Sequence, residues 1–259
     1  MLRADPVQPL GLFVRSLGVR GVGGGWLMQG VGFEPELGSI TIVEESTPSL
    51  GSVLLEVLGG LRKPDTGTAG VRGPSSGKGS WGSQSWGRRS WGSLAAREAN
   101  RIRGTINWSF QTPIWIETLT LAEGITLEER YHTGRSGRDV IEEAESLCRW
   151  FGLPGLPLSL PRETSPEDLR RAELARAFLG DPVAVFLERA LADAPDDAVT
   201  STMEAMQRAA RRGAAVIYAA SATDTSAPPS GGEKRLASLD ARRVRLTPRG
   251  IVEHDGAIV

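Results

Sequence analysis

The chain has 259 residues, 40% of them hydrophobic, and 30 Lys and Arg against 31 Asp and Glu give a net charge of −1. This length can bury a substantial core, and the balanced charge excludes a general attraction to nucleic acid or to anionic membranes. The single cysteine, Cys148, cannot form an internal disulfide, which is typical of a reducing compartment. No apolar run is long enough to span a membrane, and the first ten residues lack a signal-peptide core, so we expect a cytoplasmic protein.

Residues 1–10 are predicted to be an N-terminal tail. Residues 11–38 alternate apolar residues with turn glycines, which predicts two or three strands of a small antiparallel sheet. Residues 39–45 then predict a buried strand, and 53–58 an apolar helix. Strand, loop and helix in this order form the frame of a P-loop, whose backbone N–H groups bind phosphate.

The segment LLEVLGGLRKPDTGTAGV, residues 54–71, resembles the one that follows the glycine-rich loop in ABC transporter ATPases. The resemblance extends over 11–259 and implies an α/β fold. It comprises a mainly parallel P-loop core sheet, an antiparallel β subdomain and a helical subdomain at about residues 112–180. The resemblance also defines a degenerate nucleotide loop: Pro48, Ser49, Leu50, Gly51, Ser52 and Val53.

Several groups that a working P-loop requires are replaced in this loop. Counted from Leu54, the phosphate-binding lysine falls on Gly51, the preceding glycine on Leu50 and the metal-binding hydroxyl on Ser52. The first glycine falls on Glu45, so a carboxylate is expected where phosphate should approach. We therefore interpret the segment as a strand–turn–helix kept for its packing.

Residues 73–93 form a Gly/Ser-rich insert in which Ser-Trp-Gly recurs at 80, 85 and 90. No periodicity supports a helix or strand, so a flexible loop is expected. Two alternatives are a displaced P-loop at GPSSGKGS and a stacking surface for nucleic acid built from the tryptophans and nearby arginines.

A predicted strand at 106–110 ends at Gln111, which is similar to the Q-loop glutamine of the ABC family. The resemblance implies that Gln111 reaches Mg²⁺ and that its neighbours line the groove for a helix of the transmembrane subunit. The partner surface is then Phe110, Thr112, Pro113, Ile114 and Trp115. A helix is predicted through 137–153 with Val140, Ile141 and Cys148 on its buried face. The preceding YHTGRS is weakly similar to cassettes of the mammalian-cell-entry type lipid transporters.

The segment TSPEDLRRAELARAFLGDP resembles the family's signature motif and the helix after it. Ser165 keeps the signature serine, whereas Pro166 and Glu167 replace two glycines that should face the partner's γ-phosphate. Ser165 is predicted to cap the helix, with Pro166 in the first turn and Asp168 closing a capping box. Such a helix satisfies its own N-terminus and repels phosphate.

The resemblance places three further replacements at the catalytic centre. Glu188 stands for the metal-binding aspartate at the end of the strand VAVFLE, and Arg189 stands for the general base. Arginine cannot accept a proton at neutral pH. Ser221 replaces the switch histidine.

We therefore expect a degenerate, non-hydrolysing ABC cassette, peripheral to the inner membrane, that docks on a permease, on a second ABC cassette in a homo- or heterodimer, or on both. No cofactor, ATP or Mg²⁺, is expected. One alternative is an active ATPase, possibly in lipid transport, with Ser52, Gln111 and Glu188 as atypical ligands of MgATP. The other is a nucleic-acid-associated ABC-like protein that uses the insert.

Overall fold

The computed structural model describes residues 11–74, 86–220 and 231–253. In chain order the strands are β1 (Gly11–Arg20), β2 (Trp26–Phe33), β3 (Ile40–Glu45), β4 (Thr66–Pro74), β5 (Trp86–Ser90), β6 (Ile106–Ser109), β7 (Ala184–Glu188), β8 (Ala215–Ala220), β9 (Arg242–Thr247) and β10 (Gly250–Glu253). The helices are α1 (Leu50–Leu58), α2 (Ala96–Arg103), α3 (Leu121–His132), α4 (Gly137–Trp150), α5 (Pro166–Ala177), α6 (Asp196–Arg211) and α7 (Gly231–Arg235).

The strands form two sheets. The first is antiparallel, with the order β2–β1–β4–β5, and the second has six strands in the order β10–β9–β3–β8–β7–β6. In the second sheet β3, β6, β7, β8 and β9 pair in parallel, and β10 closes an antiparallel hairpin with β9. The predicted class, a mainly parallel core with an antiparallel β part, is confirmed.

The six-stranded sheet carries a hydrophobic core on each face. One core joins the sheet to α1 and to the antiparallel sheet, through residues such as Leu54 and Phe186. The other joins it to α3, α4, α5 and α6, through residues such as Phe151 and Tyr218. Because both faces of the central strands are covered, β7 and β8 are continuous apolar runs, as parallel strands in α/β proteins usually are.

Two local expectations are wrong. Residues 86–90, expected to be loop, form β5, which pairs with β4 from Trp86 to Ser90. This strand depends on its neighbour and has no apolar alternation of its own. Ile141 is 44% exposed, because the buried stripe of α4 runs through Val140, Ala144 and Cys148 instead. Most of the displaced P-loop (residues 75–80) and the first of the three Ser-Trp-Gly repeats (residues 80–82) lie outside the described residues.

The C-terminal end of α1 is capped by Trp91, from the last Ser-Trp-Gly repeat, and by Arg103, the last residue of α2. The indole N–H of Trp91 donates to the Leu58 carbonyl at 3.1 Å, and Arg103 donates to the Gly60 carbonyl at 2.9 and 3.1 Å. Arg103 also lies over the Trp91 ring at 5.4 Å. Gly60 has a φ of 73°, and a Cβ there would lie 2.5 Å from the indole, so only glycine fits beneath Trp91. These contacts satisfy carbonyls that a helix end leaves open.

Candidate functional site

The loop between β3 and α1 is folded around the carboxylate of Glu45. The N–H of Gly51 donates to Glu45 Oε2 at 2.8 Å, and Glu45 is only 5% exposed. Ser49 adopts a left-handed conformation with a φ of 73°, which is unusual for a residue other than glycine. Pro48 and Ser49 are exposed, whereas Leu50 and Val53 are buried in the core. Of the predicted loop residues, Gly51 and Ser52 are therefore the ones that contribute hydrogen-bond donors to the site.

Burial raises the pKa of Glu45, because the charged carboxylate loses its hydration. The backbone N–H groups of Gly51 and Ser49 lower this pKa, as does the nearby guanidinium of Arg189. Glu188 raises it further through repulsion between the carboxylates. Two carboxylates and one guanidinium therefore meet at the start of α1.

Glu188, the last residue of β7, and Arg189, which follows it, complete this cluster of charged side chains. The Ser52 hydroxyl donates to Glu188 Oε1, so two of the three metal ligands of the active-ATPase alternative contact each other directly. Arg189 has a φ of 47° and donates its backbone N–H to the Ala219 carbonyl at 3.0 Å. Its Nε is buried and has no hydrogen-bond partner among the described residues. Ser221, predicted at this centre, lies outside the described residues.

The residues present do not fit a magnesium nucleotide. The Gly51 N–H, which would meet a phosphate, donates to Glu45, and the Ser52 hydroxyl, which would meet the metal, donates to Glu188. A Cβ at position 51 would lie 2.8 Å from the Ala219 Cβ, so a lysine there requires the backbone to shift. In the described part of the chain, no three His, Cys, Asp or Glu side chains cluster as a metal site.

The loop that carries Gln111 is held by a buried ion pair that sequence reasoning missed. Arg170 Nη1 lies 2.6 Å from Glu173 Oε2, with side chains 4% and 0% exposed. Arg170 donates to the carbonyls of Phe110 (2.9 Å) and Gln111 (2.5 Å), while Glu173 accepts from the Phe110 N–H at 3.1 Å. The Gln111 side chain is exposed. The i, i+3 spacing of an Arg and a Glu on one helix was the available signal.

The signature-like segment begins α5 as a capped helix. The Asp168 N–H donates to Ser165 Oγ at 3.1 Å, and Pro166 occupies the first position. The predicted capping box is wrong in one half, since Ser165 caps the helix without a returning bond from the Asp168 side chain. The Glu167 carboxylate pairs with Arg171 at 2.9 Å. Pro166, Glu167, Gln111, Thr112 and Pro113 line one shallow cavity of about 480 Å³.

The predicted partner surface contributes to an apolar groove of about 610 Å³. Phe110, Ile114 and Trp115 line it, whereas Thr112 and Pro113 line the neighbouring cavity instead. Ile116, from the apolar stretch after Gln111, also lines the groove. The sequence did not indicate the residues that α3 adds, which include Leu127, Glu128 and Tyr131. Ile114, Ile116 and Tyr131 are 57%, 53% and 81% exposed. A second cavity beside the groove is lined by Arg97, Arg101 and Arg103.

The chain resembles known proteins in part of its sequence and in its fold. No family model matches the sequence. The lipoprotein-releasing system ATP-binding protein LolD 1 of Rhodopirellula baltica is 28% identical over 170 residues, which are 65% of this chain and 65% of that protein. The match thus spans just under two thirds of the relative's length.

Solved structures agree with the fold. An ATP-binding subunit of an ABC transporter superposes with a TM-score of 0.72 at 18% identity, covering 95% of this chain and 90% of that one. A dimeric bacterial ABC transporter cassette superposes with a TM-score of 0.72 at 16% identity, covering 93% and 96%. The chain therefore has the fold of an ABC transporter ATP-binding cassette, and part of its sequence is similar to a lipoprotein-releasing system ATP-binding protein.

Proposed function

We propose that this chain is a non-hydrolysing ABC-type cassette that acts as a structural or regulatory subunit of a membrane transport complex. The observation that carries the proposal is that the protein's own carboxylates engage the loop: Glu45 accepts from the Gly51 N–H, and Glu188 from the Ser52 hydroxyl. Phosphoryl transfer depends on positioning and charge stabilisation by such groups. Arg189, in the general-base position, cannot take a proton from water.

MgATP turnover by the purified chain tests the proposal, with Ser52→Ala as the matched control. Ser52 would be the remaining hydroxyl ligand of a metal, so its loss would abolish genuine hydrolysis. We expect the wild type and Ser52→Ala to show the same background phosphate release. Turnover by the wild type that falls in Ser52→Ala would contradict the proposal and favour an active ATPase.

We also propose that the apolar groove receives a helix of the permease subunit. Exposed apolar side chains rarely cluster on a monomer unless they bind a partner, and an amphipathic helix fits such a groove. The arginines of the second cavity beside the groove (Arg97, Arg101 and Arg103) favour a helix with acidic residues at one end. No helix in the described ranges is long and apolar enough to cross a membrane.

Site-specific crosslinking in the native host tests this docking. A photo-crosslinking residue at Ile116 is expected to capture a protein with several membrane spans, because Ile116 lies on the groove. The same residue at Val22, which is fully exposed in the turn between β1 and β2, is the control. Equal capture at both positions, or none at Ile116, would contradict the docking.

The relative's name directs the proposal to lipoprotein release at the cytoplasmic face of the inner membrane. The support is the 28% identity over 170 residues. Deletion of the gene is expected to leave lipoproteins in the inner membrane. Complementation by Ser52→Ala as well as by the wild type would support a non-hydrolytic role, and unchanged lipoprotein location after deletion would refute the assignment.

A further inference from the structure

We propose that Glu45 is an internal substitute for a phosphate group, which holds the P-loop and the start of α1 in their folded shape without any ligand. The inference rests on the proposed function, because it concerns the same site. It goes further by giving the carboxylate a positive structural role. In this view Glu45 does more than repel a nucleotide: it takes the position that an anion would occupy.

The first support is the geometry of the loop. A P-loop turns successive backbone N–H groups toward one point, and these groups need an anion or another acceptor there. Here the Gly51 N–H meets Glu45 Oε2 at 2.8 Å, and the backbone of Ser49 adds a smaller effect that favours the charged carboxylate. Both residues lie at the start of α1, where the helix dipole favours negative charge.

The second support is that α1 has no other cap. Its N-cap residue, Ser49, makes no side-chain hydrogen bond, and its first turn contains no acidic residue. By contrast, α3, α4 and α5 are capped by the side chains of Thr120, Ser136 and Ser165. The carboxylate of Glu45, which comes from the preceding strand, therefore supplies the acceptor that is missing from α1 itself.

The third support is the strain of the surrounding backbone. Among the residues that the structure describes, only three other than glycine have a positive φ: Ser16, Ser49 and Arg189. Two of these three border Glu45, and Arg189 also attracts its carboxylate. Strained conformations persist only where neighbouring contacts fix them. Removal of the Glu45 carboxylate should therefore relax the loop unless another anion replaces it.

Chemical rescue tests the inference on the full chain. Glu45→Ala is expected to lower the Tm by about 4 to 8 °C, since the loop loses a charge-assisted acceptor. Sodium formate or inorganic phosphate should restore a large part of this loss, whereas sodium chloride at equal ionic strength should not. Glu44→Ala is the matched control, because Glu44 precedes Glu45 on the same strand and faces Arg243 instead.

Any of three results would overturn the inference: a Tm of Glu45→Ala equal to that of the wild type, no rescue of Glu45→Ala by formate or phosphate, or an equal gain from these anions in Glu44→Ala. If Glu45→Ala does not fold, amide hydrogen exchange decides. The Gly51 N–H should exchange slowly in the wild type and much faster in Glu45→Leu, which keeps the bulk of the side chain but has no acceptor, and equal exchange in both would refute the inference. ATP turnover by the wild type would refute the proposed function alone, whereas failed rescue in a chain without turnover would refute only this inference.

Discussion

Substitution of Glu173, which forms a buried ion pair with Arg170, should cause a large loss of unfolding free energy. Glu173 is fully buried and contacts Arg170 at 2.6 Å, and it accepts from the Ser109 hydroxyl at 3.2 Å and from the Phe110 N–H at 3.1 Å. Glu173→Ala leaves the Arg170 guanidinium buried without its carboxylate. Breaking one side of a buried pair costs about 3–5 kcal/mol of unfolding free energy, and two further donors lose an acceptor.

Urea unfolding measures this loss, provided that the m-value stays constant. The double variant Arg170→Met, Glu173→Leu should recover much of it, because the guanidinium of Arg170 is removed together with its carboxylate. Arg176, which lies 3.6 Å from Glu173, keeps its attraction to Glu128 in both variants. Glu142→Ala is the surface control, since its partner Arg138 is 85% exposed and such pairs contribute little. A loss below about 1 kcal/mol in Glu173→Ala would refute the view that the pair is a buried, mutually dependent unit.

Three other predictions follow from single residues. Burial raises the pKa of Cys148 to about 12, so a thiol reagent at pH 8 should label it only after unfolding, and rapid labelling of the folded chain would contradict its burial. Burial also raises the pKa of Glu128 above 4.5, while Arg176 opposes the shift. The stability that Glu128 contributes below pH 4.5 is therefore lost as pH rises through its folded pKa. In urea unfolding, this contribution to the pH dependence of the unfolding free energy should be absent from Glu128→Gln, so its unfolding free energy should decline less than that of the wild type as pH rises through this range. Parallel pH profiles would refute this. Gly51→Lys should lower the Tm without conferring ATP turnover, because its Cβ would lie 2.8 Å from that of Ala219, whereas exposed Pro48→Lys should not lower it.

The sequence predicted the frame of the fold well, because the frame depends on local patterns. The apolar run of β3, the antiparallel pair β1 and β2, and the final hairpin of β9 and β10 are all confirmed. Strand β5 was missed because WGRRS carries no pattern of its own and forms only beside β4. Whether such a segment becomes a strand is decided by its pairing with a neighbouring strand in the folded protein.

The site was harder to predict than the fold. The sequence placed Glu45 in a nucleotide pocket as a misplaced charge and Glu188 in the position of the metal-binding aspartate. Their hydrogen bonds with Gly51 and Ser52 depend on how β3, α1 and β7 meet. The Arg170–Glu173 pair was missed for the same reason, because its partners belong to the loop after β6. Sequence spacing shows which residues share a helix face, whereas the contacts across elements require the folded chain.

Trp91 and Arg103 cap the C-terminal end of α1, so only part of the Gly/Ser-rich segment can be removed without changing the end of this helix. Removal of residues 75–85 alone keeps the indole and guanidinium over Gly60. Removal through residue 93 takes the indole away and leaves the Leu58 carbonyl without this donor. Trp91 thus belongs to the architecture of the helix, even though its Ser-Trp-Gly context makes it look like part of a linker.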